Sequence, residues 1–308
     1  MATQLNKWQT ELEKLTEREY KKTDSLLFNT YRNALKEIKQ RLSHYVNAYE
    51  QLSFSKKLEV ERLFNVALEI DNILNLTYSS VGEIIKDCSA NQAAQGYNGV
   101  WYQLEQSERI KLALPLIQHD FIMELVNKPV AGKTLSRRLY LEREKLAKVV
   151  TNEIIQGLFD GEGYRVIAKR ISDQTEASYK QALRIAITES GRTHSNTTQK
   201  GYVEAEKLGI SIKKKWLATL DKKTRDDHRE LDGQTVGVNE KFKIHNYEAE
   251  GPRLFGVAKE DVNCRCTTIS IVDEVSPELR KDNEFKDYAP FTNYKEWSKN
   301  LWGARSAK

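Results

Sequence analysis

From Leu5 to Gly209 apolar residues return at steps of three and four, as in Leu12, Leu15 and Tyr20 followed by Leu26, Leu27, Tyr31, Leu35, Ile38, Leu42 and Tyr45. That is the period of an α-helix with one face turned to a core. A second run, Leu58, Val60, Leu63, Phe64, Val66, Ala67, Ile70, Ile73 and Leu74, repeats the pattern behind Ser53-Phe54-Ser55, where either serine can cap. Two long paired helices are predicted. The stretch SANQAAQGYN from Ser89 to Asn98 is polar and uncharged, which reads as a loop or frayed turn. A basic helix is expected from Thr134 to about Leu158, ending at Asp160-Gly161-Glu162-Gly163, where two glycines release the backbone. Helices Tyr164–Ser172 and Glu176–Lys207 follow, and Gly209 terminates the last.

After Gly209 the texture changes. Ile210, Ile212, Trp216 and Leu217 to Leu220 alternate or cluster like a strand, and Gln234 to Val238 and Cys266 to Val272 are rich in Thr, Val and Ile. A small α+β module with short strands is the expected architecture here, following a mainly α-helical, extended N-terminal two thirds. Four segments result: helical 1–130, basic helical 131–209, the α+β module 210–275, and a tail 276–308. The tail carries Phe285, Tyr288, Phe291, Tyr294, Trp297, Leu301 and Trp302, and so many aromatic residues are expected to dock on the body or on a partner.

Composition narrows the classes. Among 308 residues, 49 are Lys or Arg and 44 are Asp or Glu, and no apolar run approaches the length of a membrane span. A soluble chain without membrane contact is expected. Three cysteines, Cys88, Cys264 and Cys266, are too few for a disulfide framework and suit a reducing compartment. The charge is uneven: residues 131–220 hold 17 basic and 10 acidic side chains, whereas the segments on either side are each acidic by one. Arg137, Arg138, Lys145, Lys148, Lys169, Arg170 and the run Lys213-Lys214-Lys215 are the candidate contacts to DNA phosphates, and a solvated helix face is the alternative.

A string of short motifs occupies the second half: Ala186-Ile187-Thr188-Glu189 with Arg192 and Asn196; Lys215-Trp216-Leu217-Ala218-Thr219-Leu220-Asp221; Thr224-Arg225-Asp226-Asp227-His228; Leu231-Asp232-Gly233-Gln234; Phe242; and Val262-Asn263-Cys264-Arg265-Cys266. In this order they resemble the phage head morphogenesis, or Mu-F-like minor head protein, family over roughly residues 150–275. The resemblance implies a minor capsid component of a tailed-phage virion, made in the host cytoplasm and associated with the portal. It also implies roles in head assembly and in the retention or ejection of double-stranded DNA bound without sequence preference. The expected partners are therefore the portal protein, the capsid interior and DNA, with self-association of the long helices as a further option.

The motif residues also carry chemistry of their own. Asp221 suits a turn in which its carboxylate accepts backbone N–H bonds, and Thr224 to Leu231 reads as a short helix with Arg225 and His228 one turn apart, closed by Gly233. Arg225 and Arg265 suit either carboxylates and loop carbonyls or phosphate. Cys264 and Cys266, with His228 and His245, have the donor types of a structural zinc site, and two small buried thiols are the competing reading. Some members of the resembled family carry a histidine just before the Asn-Cys segment; this chain has Asp261-Val262 there, which counts against metal. No other cofactor is expected. His228 beside Asp226, Asp227 and Asp232 could also be drawn as a metal-dependent nuclease centre, the enzymatic alternative to a non-enzymatic protein. No P-loop, G-x-S-x-G, H-E-x-x-H or G-x-G-x-x-G is present.

Overall fold

A computed structural model describes the backbone of residues 2–50, 60–108, 117–129, 132–272, 279–282, 284 and 287–290. In chain order the helical part comprises α1 (Ala2–Glu50), α2 (Val60–Glu108), α3 (His119–Asn127), α4 (Leu135–Phe159) and α5 (Tyr164–Lys207). The rest comprises β1 (Ile212–Leu217), α6 (Asp226–Leu231), β2 (Thr235–Gly237), β3 (Phe242–Ile244), β4 (Tyr247–Ala249), α7 (Ala258–Asp261), β5 (Thr267–Val272), β6 (Leu279–Asp282) and β7 (Asp287–Pro290). The fold is α+β, mainly helical before residue 210 and short-stranded after it. Among the described residues no helix is long and apolar enough to cross a membrane.

Residues 21–87 and 133–186 form one compact unit. Its core repeats the sequence period: Leu27, Tyr31, Ala34, Ile38 and Leu42 of α1 meet Val66, Ile70, Leu74, Tyr78, Val81 and Ile85 of α2, with Leu139, Leu146, Val150 and Ile154 of α4 and Ile167 and Ile171 of α5 in the same cluster. These stripes at three- and four-residue steps bury one continuous apolar face. Tyr31 and Tyr78 meet edge to face with centroids 5.9 Å apart. Thr134 caps α4 by accepting the Arg137 N–H at 3.3 Å. Gly161, at φ 69, makes the reversal into α5. Where two helices were expected between Tyr164 and Lys207, there is one, because Asp173 to Thr175 continues the helix and Thr175 bonds back to the Ile171 carbonyl at 2.8 Å.

Residues 1–20, 88–132 and 187–308 form the other unit. A boundary at residue 209 falls inside it, since the second half of α5 belongs with the strands that follow. The expected loop at Ser89–Asn98 is instead helical and continuous with α2. Its uncharged polarity reflects burial: Ser89, Gln92 and Ala93 are fully buried, and a side chain at Gly96 would collide with the His194 carbonyl and the Thr197 and Thr198 hydroxyls. Thr193 donates to the Ser89 carbonyl at 2.8 Å, and His194 Nδ1 lies 3.1 Å from the Gln92 carbonyl. Small and amide side chains permit this close helix approach, and a run chosen for close approach looks like a loop in sequence.

The strands form a three-stranded antiparallel sheet in the order β2-β1-β5, with Lys214 opposite Val236 on one side and Ser270 on the other. Two hairpins, β3-β4 and β6-β7, complete the strands. One apolar cluster joins Tyr97, Trp101, Tyr202, Ile212, Val238 and Val272; a second joins Trp216, Leu231, Phe242, Ile244, Cys264 and Cys266. Of the expected docking tail, the described part is the β6-β7 backbone and Glu284, whose N–H donates to the Leu220 carbonyl at 3.1 Å. Phe285, Phe291, Tyr294, Trp297, Leu301 and Trp302 lie outside the described residues.

Candidate metal centre

Helix α6 and the segment between α7 and β5 meet behind Trp216, and there His228, Cys264 and Cys266 converge. His228 Nδ1 lies 3.3 Å from Cys266 Sγ and 3.5 Å from Cys264 Sγ. The three side chains are nearly sealed from solvent, at 2%, 2% and 3% exposure, so what binds there is held by the protein and not by bulk water. On the opposite edge of the ring Nε2 is 3.1 Å from Glu260 Oε2, and Glu260 is itself fully buried. A carboxylate in that place accepts the Nε2 proton, which leaves the Nδ1 lone pair facing the two sulfurs. Trp216 stands edge-on to the imidazole at 5.8 Å, and Phe255 tilts over it at 6.4 Å.

The two thiols are not equivalent. Burial pushes Cys264 up, but the neighbouring Cys266 and His228 side chains and the charge of Arg253 outweigh it and hold the group well below the usual thiol value. Burial and the neighbouring Cys264 sulfur together push Cys266 well above it. Cys264 is thus the more acidic of the two.

The loops that present these atoms are pinned by side chains bonded to main chain. Arg253, buried and at φ 65, donates from Nε to the Cys264 carbonyl at 2.7 Å and from Nη1 to the carbonyls of Gly191 at 3.3 Å and Cys266 at 3.4 Å. Gly191 on α5 makes room, since a Cβ there would collide with the guanidinium. Arg225 donates to the Glu260 carbonyl at 3.0 Å and to that of Val262, so it serves the loop that carries Glu260. Asp261 receives the N–H groups of Phe255 at 3.0 Å and Gly256 at 2.8 Å. Asn263, at φ 55, donates its N–H to Thr188 Oγ1 at 3.0 Å. Asp221 forms a two-pronged pair with Arg265 and accepts the Lys223 N–H at 2.9 Å, while Asp232 accepts the Ala218 N–H at 2.7 Å. The sequence motifs are thus largely the scaffold of one pocket. Glu260 and Arg253 are the members that sequence reasoning missed; nothing in Gly251-Pro252-Arg253 marks a side chain that will bridge three carbonyls.

Other candidate residues are dispersed. His245, expected beside the cysteines, lies outside the cluster: it sits at φ 49 on the β3-β4 turn, largely exposed, with Nε2 3.4 Å from Asp227. Asp226 pairs with Arg229, Asp227 with Lys259, and Asp232 with main chain, so these carboxylates do not gather round His228 as a nuclease centre would require. Glu189 is buried against Arg192, which donates to the Leu125 carbonyl at 2.6 Å, and Asn196 caps the Arg192 carbonyl at 2.9 Å, all within helix packing. His194 is held near pKa 4 by burial and by the charge of Arg253, so it is neutral at physiological pH.

Of the basic residues, Arg137, Lys145, Lys148 and Lys169 are exposed, and Arg138 is half-buried. On α4, Arg137, Arg138, Lys145 and Lys148 fall within about 100° of arc, a one-sided basic stripe. Arg170 pairs with Glu153 and Glu162. In the lysine run Lys213 is exposed and Lys215 half-buried, but Lys214 is fully buried, with Nζ donating to Gln199 Oε1 and the Glu250 carbonyl, each at 2.9 Å, over the Phe242 ring. This removes Lys214 from the candidate phosphate contacts. The strand period of two turns it inward between Ile212 and Trp216.

Residues 148–269 match the family described as Phage Mu protein F like protein. The chain is 62% identical over 295 residues to NAD(+)–arginine ADP-ribosyltransferase EFV of Enterococcus faecalis, an alignment that covers 96% of this chain and 61% of that protein. It thus spans about three fifths of that relative's length. It is also 27% identical over 301 residues to minor head protein GP7 of Bacillus phage SPP1, covering 94% of this chain and 96% of GP7. An uncharacterised protein YqbB of Bacillus subtilis is 27% identical over 186 residues, with 53% of this chain and 59% of YqbB covered. No solved structure matches.

Proposed function

From the match of residues 148–269 to the Phage Mu protein F like family and the likeness to minor head protein GP7, we propose that the chain is a Mu F-like minor head protein, a non-enzymatic part of a tailed-phage head. In this reading it is made in the host cytoplasm, enters the virion beside the portal, and holds packaged DNA through phosphates during assembly and delivery. The observation that carries the reading is the alignment with GP7, which runs through 96% of that minor head protein. The same stretch of this chain aligns with 61% of EFV, so what the three proteins share is a head-protein length of sequence. In this reading the transferase named for EFV lies in the 39% of that protein that this chain does not match. The exposed stripe of Arg137, Lys145 and Lys148 supports the contact with DNA, since such a face attracts phosphate without reading bases.

The test is a salt series of binding to unrelated linear duplexes with magnesium present, with DNA length checked on the same samples. Binding indifferent to sequence, linear in log salt and weakened by the pair Lys145→Glu and Lys148→Glu supports the proposal. Absence of binding assigns the basic face to a protein partner, and shortened DNA overturns the non-enzymatic reading. Incubation with labelled NAD and an arginine-rich protein adds the transferase control: incorporated label that requires this chain also overturns it.

A further inference from the structure

We propose that His228 Nδ1, Cys264 Sγ and Cys266 Sγ bind a zinc-class ion, and that Glu260 is the positioning residue that sets the histidine for it. The ion is a structural staple between α6 and the turn that leads into β5.

The geometry differs from ordinary packing of polar groups. In a tetrahedral zinc site, bonds of about 2.3 Å to sulfur and about 2.0–2.1 Å to nitrogen put neighbouring S and N atoms about 3.5 Å apart. The two Nδ1–Sγ separations here are 3.3 and 3.5 Å, and the three ligand atoms all lie within 4.8 Å of one another. Hydrogen bonding makes poorer use of the arrangement. Nδ1 has one lone pair in the tautomer that Glu260 selects, so it accepts from one thiol only, and the second sulfur is left with the other cysteine as its partner. An ion engages all three lone pairs together.

The surroundings agree. Two thiolates neutralise a divalent charge inside a site closed to water, which removes the main cost of burying the ion. Glu260 behind the ring supplies the carboxylate–histidine–metal relay that fixes ring orientation and tautomer. Arg253 holds the carbonyls of Cys264 and Cys266 and Arg225 those of Glu260 and Val262 just before them, so both sulfurs reach one point from a fixed backbone. Soft thiolate and imidazole donors select zinc over magnesium or calcium. The three protein donors leave the fourth position of the tetrahedron to one small molecule enclosed with the ion. Among the described residues this is the group of His, Cys, Asp and Glu atoms with metal-binding proximity.

The test uses the full chain, expressed in zinc-supplemented medium and purified without chelator or polyhistidine tag. Elemental analysis is expected to give close to one zinc per chain. Cobalt(II) exchanged for zinc is expected to show the intense visible bands of a tetrahedral site and a near-ultraviolet thiolate charge-transfer band of two sulfurs. Cys266→Ser and His228→Gln should each lose the metal or, where folded, at least one thiolate or imidazole signature, whereas Cys88→Ala should retain both. Glu260→Gln should keep the stoichiometry and bind on the order of tenfold more weakly in a chelator competition. A folded wild-type chain with neither zinc nor a cobalt–thiolate band overturns the proposal, whether its cysteines are free thiols or a Cys264–Cys266 disulfide. Metal retained in full by folded Cys266→Ser overturns the ligand assignment.

Discussion

In the unit of residues 21–87 and 133–186, one apolar side chain is one member of a stripe that recurs every turn, whereas around the C-x-C turn one polar side chain holds two or three main-chain groups at once. The first kind of order is redundant, and small losses are spread over many neighbours. The second is concentrated, because a buried carbonyl left without its donor costs its full desolvation. Sensitivity to single substitutions should therefore differ sharply between the two regions.

The largest effect is expected at Trp216, fully buried and touching the rings of His228, Phe242 and Phe255. Trp216→Ala should cost about 3–5 kcal/mol, and amide exchange should show lost protection in β1, β5 and α6 with α4 unchanged. Equal loss in α4 would show that the two regions unfold as one. Next is Arg253→Met, expected to cost about 3 kcal/mol because three carbonyls lose a charged donor, against about 1 kcal/mol for Ile70→Val in the helical unit. Matching urea midpoints for these two variants would erase the contrast.

A smaller effect belongs to Asp221. Burial pushes its carboxyl up, but the Arg265 guanidinium and the Lys223 and Thr224 donors outweigh it and hold it below its ordinary 3.8. A depressed carboxyl stabilises the fold above its unfolded pKa and loses that contribution as pH falls through the folded value. Asp221→Asn should cost about 1–2 kcal/mol at pH 7, and its melting temperature should converge with wild type in acid below pH 3.8. The smallest effect is at Lys214, whose ammonium burial lowers to about 8 from 10.5. The folded state there binds fewer protons than the unfolded chain between those values, so stability rises with pH across that window. Lys214→Met should abolish this rise, read as the difference between wild-type and variant melting temperatures at pH 7.5 and 9.5.

Legibility followed the same division. The stripe from Leu27 to Leu42 announces its helix because burial there has the period of the helix itself. Ser89–Asn98 has the composition of a loop because close helix contact favours Ala, Gly and Ser, the residues that also make loops. The lysine run suggested a charged surface until the strand period placed Lys214 inside. At the pocket, His228 and the C-x-C cysteines are recognisable by donor type, and His245 shares that type without sharing the place. Glu260 and Arg253 act through partners more than thirty and sixty positions away in the sequence, His228 and Gly191, a relation no local pattern encodes.

Gly191 bears on heredity. Arg253 lies across the bare spot on α5 that this glycine provides, so the C-x-C turn rests on a residue encoded before the first strand. A recombination crossover between residues 192 and 252 would separate the arginine from its bed, and a partner gene supplying any larger residue at 191 would yield a hybrid whose turn cannot close. Any exchange of coding sequence that preserves this turn must therefore carry Gly191 and Arg253 together.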